Sequence, residues 1–246
     1  MVCMADLSFL DRIEQRPDAA ALRAESIRLL ALAPGDTVVD VGCGAGHAVA
    51  ELAEDKLKVI GIDADSDAIT AAQARTPDAV FHVARSDQLP LEDESVDGYR
   101  AARLLHLLAD PLPTLAEAWR VLRPGGRIVL AGQDYGFLML DSSDQDMADV
   151  VLLGLEWRTV APRVARSYRD LLLDQGFLDA EVVVHSEVIT DHRLMVKQLE
   201  AAAAAAVGKA LITQHDADAW LAEQADRGER DRFLAVLPTL LVAATR

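Results

Sequence analysis

From residue 37 onward, short β-branched runs alternate with stretches in which apolar residues recur every three or four positions. That alternation predicts a parallel sheet with helices on both faces. The strand runs are Thr37–Val41 (TVVDV), Leu57–Ile62 (LKVIGI), Val80–Ala84, Val96–Arg100 and Arg127–Ala131 (RIVLA). Helices are expected over about residues 46–55, 66–75 and 112–122, the last stopped by Arg123-Pro124-Gly125-Gly126. The second half is less regular. Residues 134–160 start as a mixed acidic and apolar loop and turn helical towards Trp157, and 162–175 predict another helix, ended by Gly176. Ala180–Ile189 predicts a sixth strand and Phe233–Ala243 a seventh, whose Pro238 suits a bulged or edge position. Between them, residues 192–230 are too long for a hairpin loop and helical in composition. The six alanines at 201–206 suit a closely packed helix.

The chain has 246 residues, with 24 Lys+Arg against 40 Asp+Glu and a net charge of −16. Its length suits one α/β domain, with a core of about residues 20–190 plus 233–246 and cap elements at about 1–18, 134–165 and 192–230. Aromatics make up only 4%, so Ala, Val and Leu must build the core. The acidity argues against nucleic acid or an anionic membrane as partner, because either needs a basic face. No uninterrupted apolar run is long enough to span a bilayer, and the N-terminus meets charges too early for a signal peptide. Two cysteines, Cys3 and Cys43, suit a reducing compartment, so a cytoplasmic protein is expected, as monomer or homodimer.

Asp40-Val41-Gly42-Cys43-Gly44-Ala45-Gly46-His47 stands where the first strand meets the next helix, the end of a parallel strand at which ligands bind. Glycines at 42, 44 and 46 allow a tight turn and a close backbone approach. Asp63 ends the second strand, where a carboxylate accepts hydrogen bonds from both hydroxyls of a ribose. That alone suits a nicotinamide dinucleotide as well as another adenosine cofactor. Two features separate them. A G-x-G-x-x-G pattern would need glycine at position 47, which is His47, and a carboxylate at Asp40 would repel a pyrophosphate but favour an ammonium group.

At these residues the chain resembles the class I S-adenosylmethionine (SAM)-dependent methyltransferases, in the small-molecule branch that includes the ubiquinone and menaquinone enzymes. VVDVGCGAGHAVAELA resembles the family's first motif, Gly61–Asp65 its acidic second-strand end, Ala84–Gly98 the stretch that meets adenine, and Leu122–Leu130 the entry to strand five. The resemblance implies a Rossmann-like sheet of seven strands in the order 3-2-1-4-5-7-6, strand 7 antiparallel, with a helical insert between strands 6 and 7. It implies SAM as cofactor and S-adenosylhomocysteine as product. Asp40, Gly42, Cys43, Gly44 and Gly46 would then surround the methionine part. Asp63 would hold the ribose with Ala64 beside the adenine, and Asp87, flanked by Ser86 and Gln88, would bind the adenine amino group. Arg103 and Leu104 would lie against the methionine end. Arg23, with Arg28 as a competitor, would pair with the cofactor carboxylate.

Displacement of a methyl group from a sulfonium demands alignment and exclusion of water more than any fixed catalytic residue. The acceptor side offers His106 as a base for a hydroxyl or phenol proton, and Asp134 and Tyr135 after the fifth strand. Asp141, Asp144, Asp146 and Asp149 fail as a calcium loop and read as acids at a helix start, and no Cys/His spacing suggests zinc. Trp157, Arg158, Arg163, Arg166, Tyr168 and Arg169 read as an amphipathic helix pair, with an arginine available to an anionic substrate group. After strand four the chain reads RAARLLH, without the Asn/Asp, two prolines and aromatic of many amino-group methyltransferases. The expected activity is methyl transfer to oxygen or nitrogen, less so carbon, of a small molecule such as a specialised metabolite. A different SAM-dependent reaction, such as cyclisation or decarboxylation, and a catalytically silent partner-binding protein are the alternatives.

Overall fold

Thr37–Val41 forms a strand (β1) whose Val38 and Val39 point to opposite faces and are both fully buried. Such a strand needs apolar cover on each side, which the helices supply. The computed structural model describes residues 14–246. Most of the cap expected at 1–18, and Cys3, lie outside them. Strand β2 (Lys58–Asp63) runs parallel to β1 in the register Val38↔Val59 and Asp40↔Gly61, with β3 (Val80–Val83) beyond it. On the other side, β4 (Val96–Ala102) pairs Asp40↔Arg100, and β5 (Leu122–Gln133) follows.

The last strand, β8 (Ala235–Thr245), runs antiparallel to β5 and, on its other side, to β7 (Leu178–Ile189). The order β3-β2-β1-β4-β5-β8-β7 is the predicted one, with a single antiparallel strand in the expected place. A two-residue strand, β6 (Met139–Leu140), has no counterpart in the sequence pattern. It pairs Met139↔Val236, extending β5's side of β8. Pro238 therefore lies in an interior strand, not at an edge or a bulge. It is tolerated because β5 pairing ends at Gln133↔Thr239 and β6 pairing begins at Val236, which leaves Pro238 at the change of partner. There its carbonyl accepts from the Asp134 N–H at 3.1 Å.

Helices α1 (Pro17–Leu30), α2 (His47–Glu54) and α3 (Ser66–Arg75) cover one face, packing Leu29, Val49, Leu52 and Ile69 against Val38, Val59 and Val129. Helices α4 (Leu112–Val121) and α6 (Tyr168–Asp174) cover the other, with Leu115, Ala118, Tyr168 and Leu172 on Val39, Tyr99 and Ile128. The helix expected over 162–175 is a 3-10 turn at Val164–Ser167 followed by the shorter α6.

A third core stands apart at the ligand end. It joins α5 (Gln145–Glu156), α7 (Val196–Gly208) and α8 (Gln214–Glu229) through Val151, Leu155, Leu199, Ala202 and Trp220, and seats them on Leu140, Ile189 and Ala235. The acids before α5 act as expected: Asp144 caps the helix by accepting from the Met147 N–H, and Asp146 lies in its first turn. The alanine run packs as closely as its composition suggests. A Cβ built at Gly154 on α5 would stand 2.7 Å from the carbonyl carbon of Ala202 and closer still to its oxygen. Gly154→Ala should therefore destabilise the protein by about 1–3 kcal/mol despite the better helix propensity of alanine. Gly208→Ala, whose Cβ meets nothing within 4 Å, should leave the thermal midpoint unchanged or slightly raised.

Candidate active site

β1 ends in a loop whose Gly42, Gly44 and Gly46 have φ of 74°, 52° and 78°, a left-handed run that side chains disfavour. A Cβ at Gly46 would meet the Ala72 Cβ at 2.8 Å, so this glycine lets α2 pack on α3. A Cβ at Gly44 would meet nothing within 4 Å, so the loop is open there. Cys43 points the other way, into the core. Burial pushes its thiol well above the ordinary range, and Asp40 and Asp63 add to this, which leaves it protonated and unreactive.

Asp63, at the end of β2, accepts from the Gly44 N–H at 2.8 Å and the Asp65 N–H at 3.0 Å. The loop and the acid thus fix each other, while each carboxylate oxygen keeps lone pairs for a ligand. Ala64 beside it is exposed. Asp87 is gripped by Arg85 at 2.9 and 2.6 Å, which holds its carboxyl below the usual range. Ser86 shares a hydrogen bond with Thr114 (2.8 Å), and Gln88 is exposed.

Asp40 differs from the sequence expectation. It is fully buried and bound by Arg100 at 2.7 Å, whose Nε donates to the Ser26 hydroxyl at 2.9 Å. Its charge is neutralised within the sheet, so it is not a free counter-charge for an ammonium group. A lone arginine inside the apolar strand VDGYRAA signals that an acid must stand on a neighbouring strand. That signal is legible in the sequence itself.

Arg23 is also engaged. Its Nε and Nη2 donate to Glu51 at 2.9 and 2.7 Å, and its Nη1 to Glu14 at 2.6 Å. Arg28 pairs with Glu25 at the exposed surface. Arg103 follows β4 in a left-handed backbone (φ 55°) and forms an ion pair with Glu14, while Leu104 packs against Gly42. Burial opposes the Arg103 charge.

Asp134 corrects another expectation. It is fully buried, paired with Arg166 (2.9 Å for one of two contacts) and accepts from the Gly136 N–H at 3.0 Å. It anchors the chain after β5, with both carboxylate oxygens engaged by protein groups. Arg163 is likewise bound to Glu156, so the basic patch spends these arginines internally. His106 and Tyr135 do come together, with ring centroids 5.8 Å apart. The Tyr135 hydroxyl donates to Gln133 at 3.1 Å, and the buried His106 Nδ1 has no hydrogen-bond partner among the described residues. Burial, with Arg103 adding, lowers His106 to about 4. Burial also raises the Tyr135 hydroxyl.

Residues 39–130 match the family model described as a methyltransferase domain. That stretch is a methyltransferase domain. The chain is 34% identical over 193 residues to an uncharacterised 37.1 kDa protein in transposon TN4556 of Streptomyces fradiae, covering 76% of this chain and 56% of that one. It is 32% identical over 122 residues to the demethylmenaquinone methyltransferase of Beutenbergia cavernae, covering 50% of this chain and 48% of that one. The chain thus spans about half the length of these relatives. In fold it is similar to a putative methyltransferase from Bacillus halodurans, with a TM-score of 0.66 and 16% identity over 92% of this chain and 98% of the other.

Beyond the matched domain, sequence reasoning missed Glu187. It stands near the end of β7 and is bound by Arg16 at 2.5 Å, and burial raises its carboxyl. Strand alternation through VVVHSE places it on one face with Val183 and His185, but only the fold brings Arg16 to it. Among the described residues there is no metal-binding cluster of His, Cys, Asp and Glu, and no helix long and apolar enough to cross a membrane.

Two outcomes follow from the buried charges. Arg100→Ala leaves Asp40 buried without its partner and should cost about 3–5 kcal/mol in urea unfolding. Arg123→Ala, which loses a more exposed pair with Asp97, should cost under about 1 kcal/mol. For His106, the folded value of about 4 lies below that of the unfolded chain. The unfolded chain then binds a proton that the folded one refuses, so stability falls as pH falls from about 6.5 towards 4. His106 should account for about 3 kcal/mol of that fall, and His106→Gln should flatten the profile in the same unfolding measurement.

Proposed function

We propose that the protein transfers a methyl group from SAM to an oxygen or nitrogen, in preference to a carbon, of a small organic molecule such as a specialised metabolite. The observation that carries this reading is the Asp63 carboxylate, held by backbone N–H groups beside the open turn at Gly44. The donor and acceptor set fits the cofactor: carboxylates for ribose hydroxyls and an adenine amine, guanidiniums for a carboxylate, and glycine where a side chain would fill the cradle.

When bound, the cofactor supplies an electrophilic methyl group on sulfur. Asp63 takes the ribose hydroxyls, Ala64 leaves room for the adenine edge, and Asp87 with Ser86 and Gln88 meets its amino group. Gly42, Gly44 and Gly46 admit the methionine part, with Leu104 as the apolar wall behind Gly42. Arg23 and Arg103 converge from α1 and β4 on the carboxylate end. His106 is neutral at pH 7, so its imidazole accepts a hydrogen bond from a hydroxyl without adding a cation beside the sulfonium. Tyr135 stands next to it as a polar wall. The helical roof formed by α5, α7 and α8 keeps water out and limits the acceptor to a small molecule. A net charge of −16 supports the same exclusion of nucleic acid.

Calorimetry with S-adenosylhomocysteine should show one binding event, and absence of binding would overturn the reading. Asp63→Ala removes charge-assisted hydrogen bonds to the ribose and should weaken that affinity by about ten- to a hundredfold. Incubation with SAM and a panel of phenols, hydroxy acids and amines should give one product heavier by a methyl group in place of a hydrogen.

A further inference from the structure

Glu14 lies three residues before α1, and its carboxylate bridges Arg23 and Arg103. One oxygen stands 2.6 Å from Arg23 Nη1 and the other pairs with Arg103 Nη2. The Glu14 backbone oxygen also accepts from Arg23 Nη1, at 2.7 Å. The seat is built, not incidental. Arg23 is buried and oriented from behind by Glu51, which takes its other two donors at 2.9 and 2.7 Å. Arg103 is aimed by a left-handed backbone that a residue of its kind adopts only under constraint, and its N–H is tied to the Ala131 carbonyl at 2.7 Å. The residue after Arg103 packs on Gly42 of the loop. Two guanidiniums, from different elements, thus converge on one carboxylate beside the glycine loop, and the chain fills that position with its own side chain.

We propose that Glu14 is an internal stand-in for the carboxylate of the cofactor and so sets the discrimination between adenosyl ligands that carry the amino-acid carboxylate and those that lack it. This rests on the methyltransferase reading of the site. The exchange is one carboxylate for another, so Arg103 is not left partly buried without a counter-charge, while Arg23 keeps Glu51 throughout. Only molecules whose Glu14 has left the seat can take the ligand carboxylate, and the apparent affinity is reduced by that fraction. An adenosyl ligand without the carboxylate has no such competitor.

The test compares the wild type with Glu14→Gln by calorimetry, using S-adenosylhomocysteine and 5′-methylthioadenosine, which lacks the amino-acid part. Glu14→Gln should tighten S-adenosylhomocysteine by about three- to tenfold, the factor that corresponds to one part-buried ion pair. The affinity for 5′-methylthioadenosine should stay the same within about twofold, which also verifies that the variant is folded. Unchanged or weaker binding of S-adenosylhomocysteine would overturn the proposal, as it would if Glu14 instead received the ligand's ammonium group. Equal tightening of both ligands would overturn it too, since Glu14 would then act as a general closure. If neither ligand binds either protein, the methyltransferase reading itself fails and the proposal falls with it.

Discussion

The ion pair between Asp40 and Arg100 crosses the seam between β1 and β4, where the strand order turns back on itself and the crevice of an open α/β sheet begins. Ser26 of α1 closes the group from above the sheet. A buried pair of this kind contributes little net stability, because desolvating both charges offsets most of their attraction. Its consequence is positional. Breaking either half strands a charge in a dry interior, so β1, β4 and α1 are held in one mutual arrangement. The glycine loop follows β1, Arg103 and His106 follow β4, and α1 carries Arg23 with Glu14 just before it.

The same pairing rule governs the rest of the ligand end. Arg16 meets Glu187, Arg23 meets Glu51 and Glu14, Arg85 meets Asp87, and Arg166 meets Asp134. A surplus of sixteen negative charges over the whole chain therefore does not become a strongly acidic crevice. Asp63 is held differently, by the backbone N–H groups of Gly44 and Asp65. Hydrogen bonds of this kind orient a carboxylate without cancelling its charge, which suits an acid that meets neutral hydroxyls. Asp87 and its exposed partner Arg85 represent a middle case: that pair is screened by water and is given up at little cost.

Much of this arrangement is legible in local stretches of the chain. TVVDV followed by three glycines, then GIDAD at the next strand end, requires only the periodicities of strands and turns, and both features fall where expected. The alternation of elements is enough for the parallel half of the sheet. What stays hidden depends on distant partners. Pro238 reads as an edge residue until β6 is seen to take over from β5 beside it. Asp134 reads as a pocket acid until Arg166, 32 positions away, covers it. Glu187 and Arg16 are 171 residues apart, and neither run of sequence contains a sign of the other. Arg100 is the instructive exception, since burial of a guanidinium in an apolar strand demands an acid, and Asp40 is the acid available.

Two groups of elements at this end of the sheet are held by different physics. The α5, α7 and α8 group has an apolar core of its own, with Ala202, Ala203 and Trp220 buried, and it shares Leu140, Ile189 and Ala235 with the strand ends. Opening it would expose several side chains, each worth about 1.5–3 kcal/mol of burial. The start of α1 is tied to the opposite side by ion pairs, Glu14 to Arg103 and Arg16 to Glu187. Partly exposed pairs of this type contribute about 0–1 kcal/mol each and weaken further in salt. On these scales the ion pairs at the start of α1 cost less to break than the apolar core of α5, α7 and α8.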